Sequence, residues 1–240
     1  MKYDGIFFDS GGTIFAFKSD PGCPDPGGGE VQAQGSERAA TALRWLGHQV
    51  EDAQVAQHLA DLKSRSREMG PAYTQEDLMI ALFERLDLAP RADEVVYVTG
   101  VYSGPRYRSW LFAGVGEALE ELRTLGVPMG LIANTDVPGW VMDRNFRGVG
   151  LLHYFPVRLY SGDAGIEKPD PRIFELAAER AGLSGRRLIY MGDRVDKDIA
   201  GARAAGWSSI LFHSAVDDSG GEADYEIDSW SELKHTFVIG

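Results

Sequence analysis

Residues 5–15, GIFFDSGGTIF, decide how this chain is read. The run from Gly5 to Phe8 is apolar and too short for a helix of ordinary length, so it reads as a buried strand. Asp9 follows directly, and Ser10-Gly11-Gly12-Thr13 makes a turn. The stretch delivers one carboxylate to the carboxyl end of a strand, which is where open α/β sheets collect their chemistry.

Four more short apolar runs resemble the first: 129–133, 157–160, 188–191 and 209–212. Helical patterns lie between them. Val115, Ala118, Leu119, Leu122 and Leu125 recur at helical spacing, with Gly126 placed as a C-terminal cap. Asp170 and Pro171 make an N-cap and first-turn pair for a helix with Ile173, Phe174, Ala177 and Ala181 on its inner face. Alternating strands and helices predict an α/β fold, a doubly wound parallel (Rossmann-like) sheet.

Residues 18–110 interrupt that alternation. They open with PGCPDPGGG at 21–29, a linker or flap composition. Two apolar stripes follow. Val55, Leu59, Leu62 and Met69 form one, and Leu78, Leu82 and Leu86 form the other, entered through a capping box of Thr74 and Asp77. DEVVYVTGVY, 93–102, is ambiguous between helix and strand. The expected organisation is a core of 1–17 and 111–240 carrying a small helical cap of 18–110.

Composition narrows the function. A net charge of -12, with no basic cluster able to track phosphates, argues against nucleic acid or an anionic membrane as a partner. A small molecule remains, and an anionic one is admissible where a bound cation reverses the local field. One cysteine, Cys23, excludes an internal disulfide and a cysteine metal cluster. The first residues, MKYDGIFFDS, form neither a signal peptide nor a membrane span, so a cytoplasmic location is expected. The five histidines show no ligand spacing and no partnered serine or cysteine.

Three later stretches complete a pattern with Asp9. LIANTD (131–136) follows a strand, GIEKPDPRIF (165–174) puts Lys168 before a proline and a new helix, and YMGDRVDKDIAGARAAGW (190–207) is acidic at Asp193 and Asp198. Together with FFDSGGTIF these resemble, in order, the four motifs of the haloacid dehalogenase-like hydrolase superfamily. Singly, each has a plainer reading: Asp9 as a turn residue, Lys168 as a solvated lysine, Asp193 and Asp198 as turn or helix caps. Four such residues in family order, each at an expected strand end, point instead to a site.

The resemblance implies Asp9 as a nucleophile that forms a covalent intermediate. It implies Lys168 as a catalytic and phosphate-binding cation, and Asn134 and Thr135 as further phosphate contacts. It also implies magnesium held by Asp9, the Gly11 carbonyl, Asp193 and Asp198, hard oxygen donors suited to that ion. The implied activity is a magnesium-dependent phosphatase of a small phosphorylated metabolite. Two positions depart from the family. Gly11 stands where an aspartate normally acts as general acid and base, and Ala133 where a hydroxyl normally binds phosphate. Other activities stay open on that account: a dehalogenase, whose halide needs no proton, a phosphonatase using a cap lysine such as Lys63, or a binding protein on the same fold. Arg106, Tyr107 and Arg108, on the return from cap to core, are either anion contacts or hinge packing and solvated side chains; hinge packing and solvation are the expectation.

Overall fold

The computed structural model describes residues 2–16, 34–66, 68–214 and 222–234. The Pro/Gly-rich stretch 21–29, with Lys18 and Cys23, lies outside the described residues.

The first strand, β1 (Gly5–Phe8), is buried along its whole length. Beyond it come four helices, α1 (Gly35–Trp45), α2 (Asp52–Ser66), α3 (Gln75–Arg85) and α4 (Ala92–Ser103). They pack on one another through Leu43, Val55, Leu59, Leu78, Leu82, Phe83 and Val98, an apolar cluster separate from those that cover the sheet. Thr74 and Asp77 form the expected reciprocal capping box at the start of α3. The ambiguous 93–102 segment is helical: Val95, Val98 and Tyr102 recur at helical spacing and bury against α1. Met69 departs from its expected stripe. The helix ends at Ser66, and Met69 is 64% exposed in the turn beyond it.

After α4 the chain re-enters the sheet region through α5 (Val115–Thr124) and β2 (Met129–Ala133). It continues as α6 (Gly139–Gly148), β3 (Val157–Tyr160), the short α7 (Ser161–Ala164) and α8 (Pro171–Arg180). Then follow β4 (Leu188–Gly192), a π-helical turn at Val195–Ile199, α9 (Ala200–Ala204) and β5 (Ser208–Phe212). The sheet closes with β6 (Tyr225–Ile227), three residues too short to show as an apolar run.

All six strands are parallel, in the order β3-β2-β1-β4-β5-β6. The two-residue period of a strand divides the core into two layers. Ile6, Phe8, Leu131, Met191 and Phe212 face a cluster completed by Leu119, Phe146 and Trp230. Phe7, Ile132, Leu159 and Tyr190 face the other, with Ile173, Phe174 and Ala177 of α8. With β1 at the centre, and the chain crossing from β3 on one side to β4 on the other, the switch point of the topology falls at the carboxyl end of β1. The four-helix unit touches the sheet's carboxyl edge there: the Gln75 amides donate to the backbone and side chain of Asp136 at 2.8 and 3.1 Å, and Arg144 donates to the Gly100 carbonyl at 3.0 Å.

Candidate active site

Asp9 takes its place from the sheet. Its amide continues the ladder by donating to the Met191 carbonyl at 2.9 Å, which fixes the backbone while the carboxylate turns to the edge. Lys168 arrives from the segment before α8, held by a reciprocal clasp with Asn134. The Asn134 amide donates to the Lys168 carbonyl, and the Lys168 amide donates to Asn134 Oδ1, both at 2.9 Å. The lysine is 2% exposed, and Nζ donates to Asp9 Oδ1 at 2.6 Å, Asp198 Oδ1 at 2.7 Å and the Tyr190 hydroxyl at 2.7 Å. Tyr190 passes its own proton to the Ile132 carbonyl at 2.7 Å. All three ammonium donors are therefore satisfied.

Asp193 and Asp198 approach on two glycines. A Cβ on Gly12, which has φ +82°, would run into the Asp193 carboxylate, and a Cβ on Gly192 would run into that of Asp198. The π-helical turn then bends back far enough for Asp198 Oδ2 to accept from the Arg194 amide at 3.0 Å. Thr13 Oγ1 lies 3.4 Å from Asp193 Oδ1, and the Thr13 carbonyl is anchored by the Trp230 indole at 3.0 Å. Gly12→Ala is accordingly expected to displace Asp193 as well as to strain a left-handed backbone, at a cost of about 1–2 kcal/mol from the strain alone. The checks are a lowered melting temperature and loss of cation binding by calorimetry; retention of wild-type binding contradicts this packing.

Ligand oxygens of Asp9, Asp193 and Asp198 lie within 4.8 Å of one another. Burial, and then Asp198, push the Asp9 carboxyl up to about 6 despite Lys168 beside it. Burial, Asp9 and Asp198 push Asp193 up to about 8. Burial opposes the charge on Lys168, but Asp198 and Asp9 outweigh it and hold its pKa above the usual value. Three carboxylates thus crowd around one ammonium, and the donor set is hard oxygen throughout. That combination fits a divalent cation such as magnesium.

A pH dependence follows with a definite sign. Asp9 and Asp193 have folded pKa values of about 6 and about 8 against an ordinary 3.8. The folded state therefore binds more protons than the unfolded one across that window, and stability falls as pH rises through it. The melting temperature in chelator is expected to drop between pH 5 and pH 8, and magnesium to restore it at pH 8. A flat profile in chelator contradicts the crowding.

Of the residues expected from sequence, Asp9, Lys168, Asp193 and Asp198 converge. The Asn134 side chain is spent on orienting Lys168, and the Thr135 hydroxyl accepts from the Val137 amide at 3.0 Å. Gly11 lies in the turn after Asp9, bridged to Phe15. Lys63 stands on the wall of a cleft of about 920 Å³ between α2 and the ends of β2 and β3, its ammonium 5.9 Å from the Tyr102 ring centre. Asn134 also lines that cleft, which thus reaches the edge of the cluster. Tyr190 went unmarked in the sequence, where the signal was a phenol inside an apolar strand, a group that needs a polar partner when buried. Arg106, expected as hinge packing, donates from Nη1 to Ser10 Oγ, in the residue after Asp9, at 3.2 Å and lies over the Phe15 ring.

The family model for haloacid dehalogenase-like hydrolases matches residues 3–206. The glyceraldehyde 3-phosphate phosphatase of Methanopyrus kandleri is 38% identical over 124 residues, 48% of this chain and 51% of that protein. The phosphoserine phosphatase of Thermus thermophilus is 32% identical over 133 residues, 55% of this chain and 52% of that one. The chain thus spans about half the length of these two relatives. In three dimensions, a 2-haloacid dehalogenase from Pseudomonas syringae pv. Tomato superposes with a TM-score of 0.69 at 23% identity, covering 99% of each chain, and shares the fold. With the motifs in order, their side chains gathered at one sheet edge and the family match running over most of its length, this chain belongs to the haloacid dehalogenase-like hydrolase family.

Proposed function

We propose that the protein is a magnesium-dependent phosphatase of a small phosphorylated metabolite, acting through a covalent intermediate on Asp9. The observation that carries this reading is the buried cluster in which Lys168 binds Asp9 and Asp198 while Asp193 closes the third side. Relatives named as phosphatases support it.

In this reading an Asp9 oxygen attacks phosphorus, the bond to the ester oxygen breaks, and the leaving alkoxide keeps the electron pair and takes a proton from water. Water then cleaves the aspartyl phosphate, releasing inorganic phosphate and restoring the carboxylate. Lys168, held by three acceptors, keeps its charge while negative charge builds on the transferring group, so little reorganisation is needed. Asp9, Asp193 and the Gly11 carbonyl, with Asp198 beside them, would hold magnesium, which would supply the positive charge that lets a carboxylate meet a phosphate. Asn134 acts through its clasp on Lys168, and Thr135 through the cleft wall. The cleft, with Ser64, Tyr73, Asp136, Ser161 and Glu167 among its lining, suits a small polar substrate. Residues 18–110 form the cap over a core of 1–17 and 111–240. The partner is that small molecule, neither nucleic acid nor membrane, and the setting is the cytoplasm. Among the described residues no helix is long and apolar enough to cross a membrane.

The test is phosphate release from a panel of phosphorylated metabolites with magnesium and with chelator. Release that needs magnesium supports the reading, and none from any member overturns it. A dehalogenase reading accommodates Gly11, since halide leaves without a proton, but it gives no account of the crowded carboxylates. Gly11 also yields a prediction: Gly11→Asp, by restoring a proton donor, is expected to speed alkyl phosphates roughly tenfold to a hundredfold, and aryl phosphates less. An aryl substrate gaining as much as an alkyl one contradicts the missing donor.

A further inference from the structure

We propose that Tyr190 is a positioning residue whose hydroxyl holds the Lys168 ammonium in place through both halves of the reaction; this rests on the phosphatase reading above. Lys168 Nζ makes three bonds, to Asp9 Oδ1 at 2.6 Å, Asp198 Oδ1 at 2.7 Å and the Tyr190 hydroxyl at 2.7 Å. Of these acceptors only Tyr190 stands outside the chemistry. Asp9 is the nucleophile, and its carboxylate loses charge once phosphorus is bonded. Asp198 is one of the three carboxylates whose oxygens crowd within 4.8 Å and suit a cation. A phenol that attacks nothing keeps the same hold on the ammonium before attack, in the aspartyl phosphate and after hydrolysis.

The direction of its hydrogen bonds follows from the atoms present. The phenol oxygen lies 2.7 Å from the Ile132 carbonyl, which has no proton to give. Tyr190 therefore donates to Ile132 and turns a lone pair to Lys168. Its one proton is spent on the backbone of a strand. Ile132 and Tyr190 are fully buried and Lys168 is 2% exposed. An ammonium N–H without an acceptor at that depth carries its full desolvation cost, so the third bond is not idle.

The sheet builds this bracket across a strand. In the order β3-β2-β1-β4, Tyr190 on β4 and Ile132 on β2 flank β1, so the phenol reaches over β1 to make its bond. Phe7 of β1 is level with both Tyr190 and Gly130, and its ring leans to β2, where a Cβ on Gly130 would run into it. Phe174 of α8 meets the Tyr190 ring edge to face, with centres 5.0 Å apart. The end of β2 then grips the lysine twice. Ile132 holds the ammonium through Tyr190, and Asn134 clasps the Lys168 backbone with its two 2.9 Å bonds. Lysine is a compact charge on a flexible stem, and a charge stabilises a transition state best when it is already in place. Fixing both ends of the residue to one strand meets that need.

The experiment compares wild type, Tyr190→Phe and, as a control, Phe174→Leu, which disturbs the packing of the Tyr190 ring and leaves its hydroxyl. It reads kcat and KM for the best phosphomonoester of the panel, beryllofluoride binding in magnesium by fluorine NMR, and the melting temperature. Tyr190→Phe is expected to lower kcat roughly tenfold to a hundredfold, the scale of a misplaced catalytic group, with KM within about threefold of wild type. Beryllofluoride puts a phosphoryl mimic on Asp9 beside Lys168, and is expected to bind that variant more weakly by a similar factor. Phe174→Leu is expected to lower the melting temperature at least as far, while kcat and beryllofluoride binding stay within about threefold of wild type. Wild-type kcat and beryllofluoride binding in Tyr190→Phe overturn the proposal. So does a Phe174→Leu protein that loses as much activity at an equal loss of melting temperature, since the hydroxyl then does no more than packing does. Wild-type protein that releases no phosphate from any phosphomonoester and takes up no beryllofluoride brings down the phosphatase reading itself. That result is distinct from an active wild type matched by Tyr190→Phe.

Discussion

Asp9→Asn is expected to reduce turnover by on the order of 10⁵-fold, to the limit of detection, because a neutral amide is a very poor nucleophile. The fold is expected to survive. Lys168 keeps Asp198 and Tyr190 as partners, and one of three mutually repelling carboxylates is gone. The melting temperature in chelator at pH 8 is therefore expected to match or exceed that of wild type. Beryllofluoride, a phosphoryl mimic that attaches to a free carboxylate, is expected to bind wild type and not the variant, which fluorine NMR reads directly. An Asn variant that turns over at wild-type rates rules out covalent chemistry at this position.

Lys168→Met separates catalysis from stability less cleanly and is informative for that reason. Removing the ammonium strands Asp9 and Asp198 in a buried site, where the loss of one partner of an ion pair costs about 3–5 kcal/mol. Turnover is expected to fall on the order of 10²–10³-fold or more, as for removal of a preorganised donor to developing charge. The destabilisation should be relieved by lowering the pH, because the stranded Asp9 then takes up a proton, and by adding Asp198→Asn. Neither change should restore turnover. Activity within tenfold of wild type removes Lys168 from the chemistry.

The fold was legible because its determinants are local. Each of the first five strands is a short apolar run ended by a polar or glycine turn, and each lies where those runs put it to within one residue. Asp170 before Pro171, and Thr74 three residues before Asp77, cap their helices through bonds spanning two or three residues, which sequence spacing reports directly. Strand β6 escaped because three residues, of which only Ile227 is buried, are too few to show a period. The 93–102 segment was undecided because Val and Tyr favour strands in isolation. Packing of Val95, Val98 and Tyr102 against α1 overrides that preference.

The sequence by itself marked the residues that the fold gathers: Asp9 and Asp193 each follow a strand directly, while Lys168 and Asp198 come with the segments beyond β3 and β4. It did not determine how they divide the work, because that depends on contacts between residues 22 to 180 positions apart. Only the tertiary structure decided that Asn134 grips Lys168, that Tyr190 is the lysine's third acceptor, and that Gly12 and Gly192 are small so that carboxylates can lie against them. Arg106 marks the boundary most clearly. In sequence it is one of two arginines in a hinge segment, and no periodicity distinguishes it from Arg108. In the fold it reaches Ser10, the residue after Asp9, across 96 positions, a contact that the assembled sheet edge makes and the neighbouring residues do not foretell.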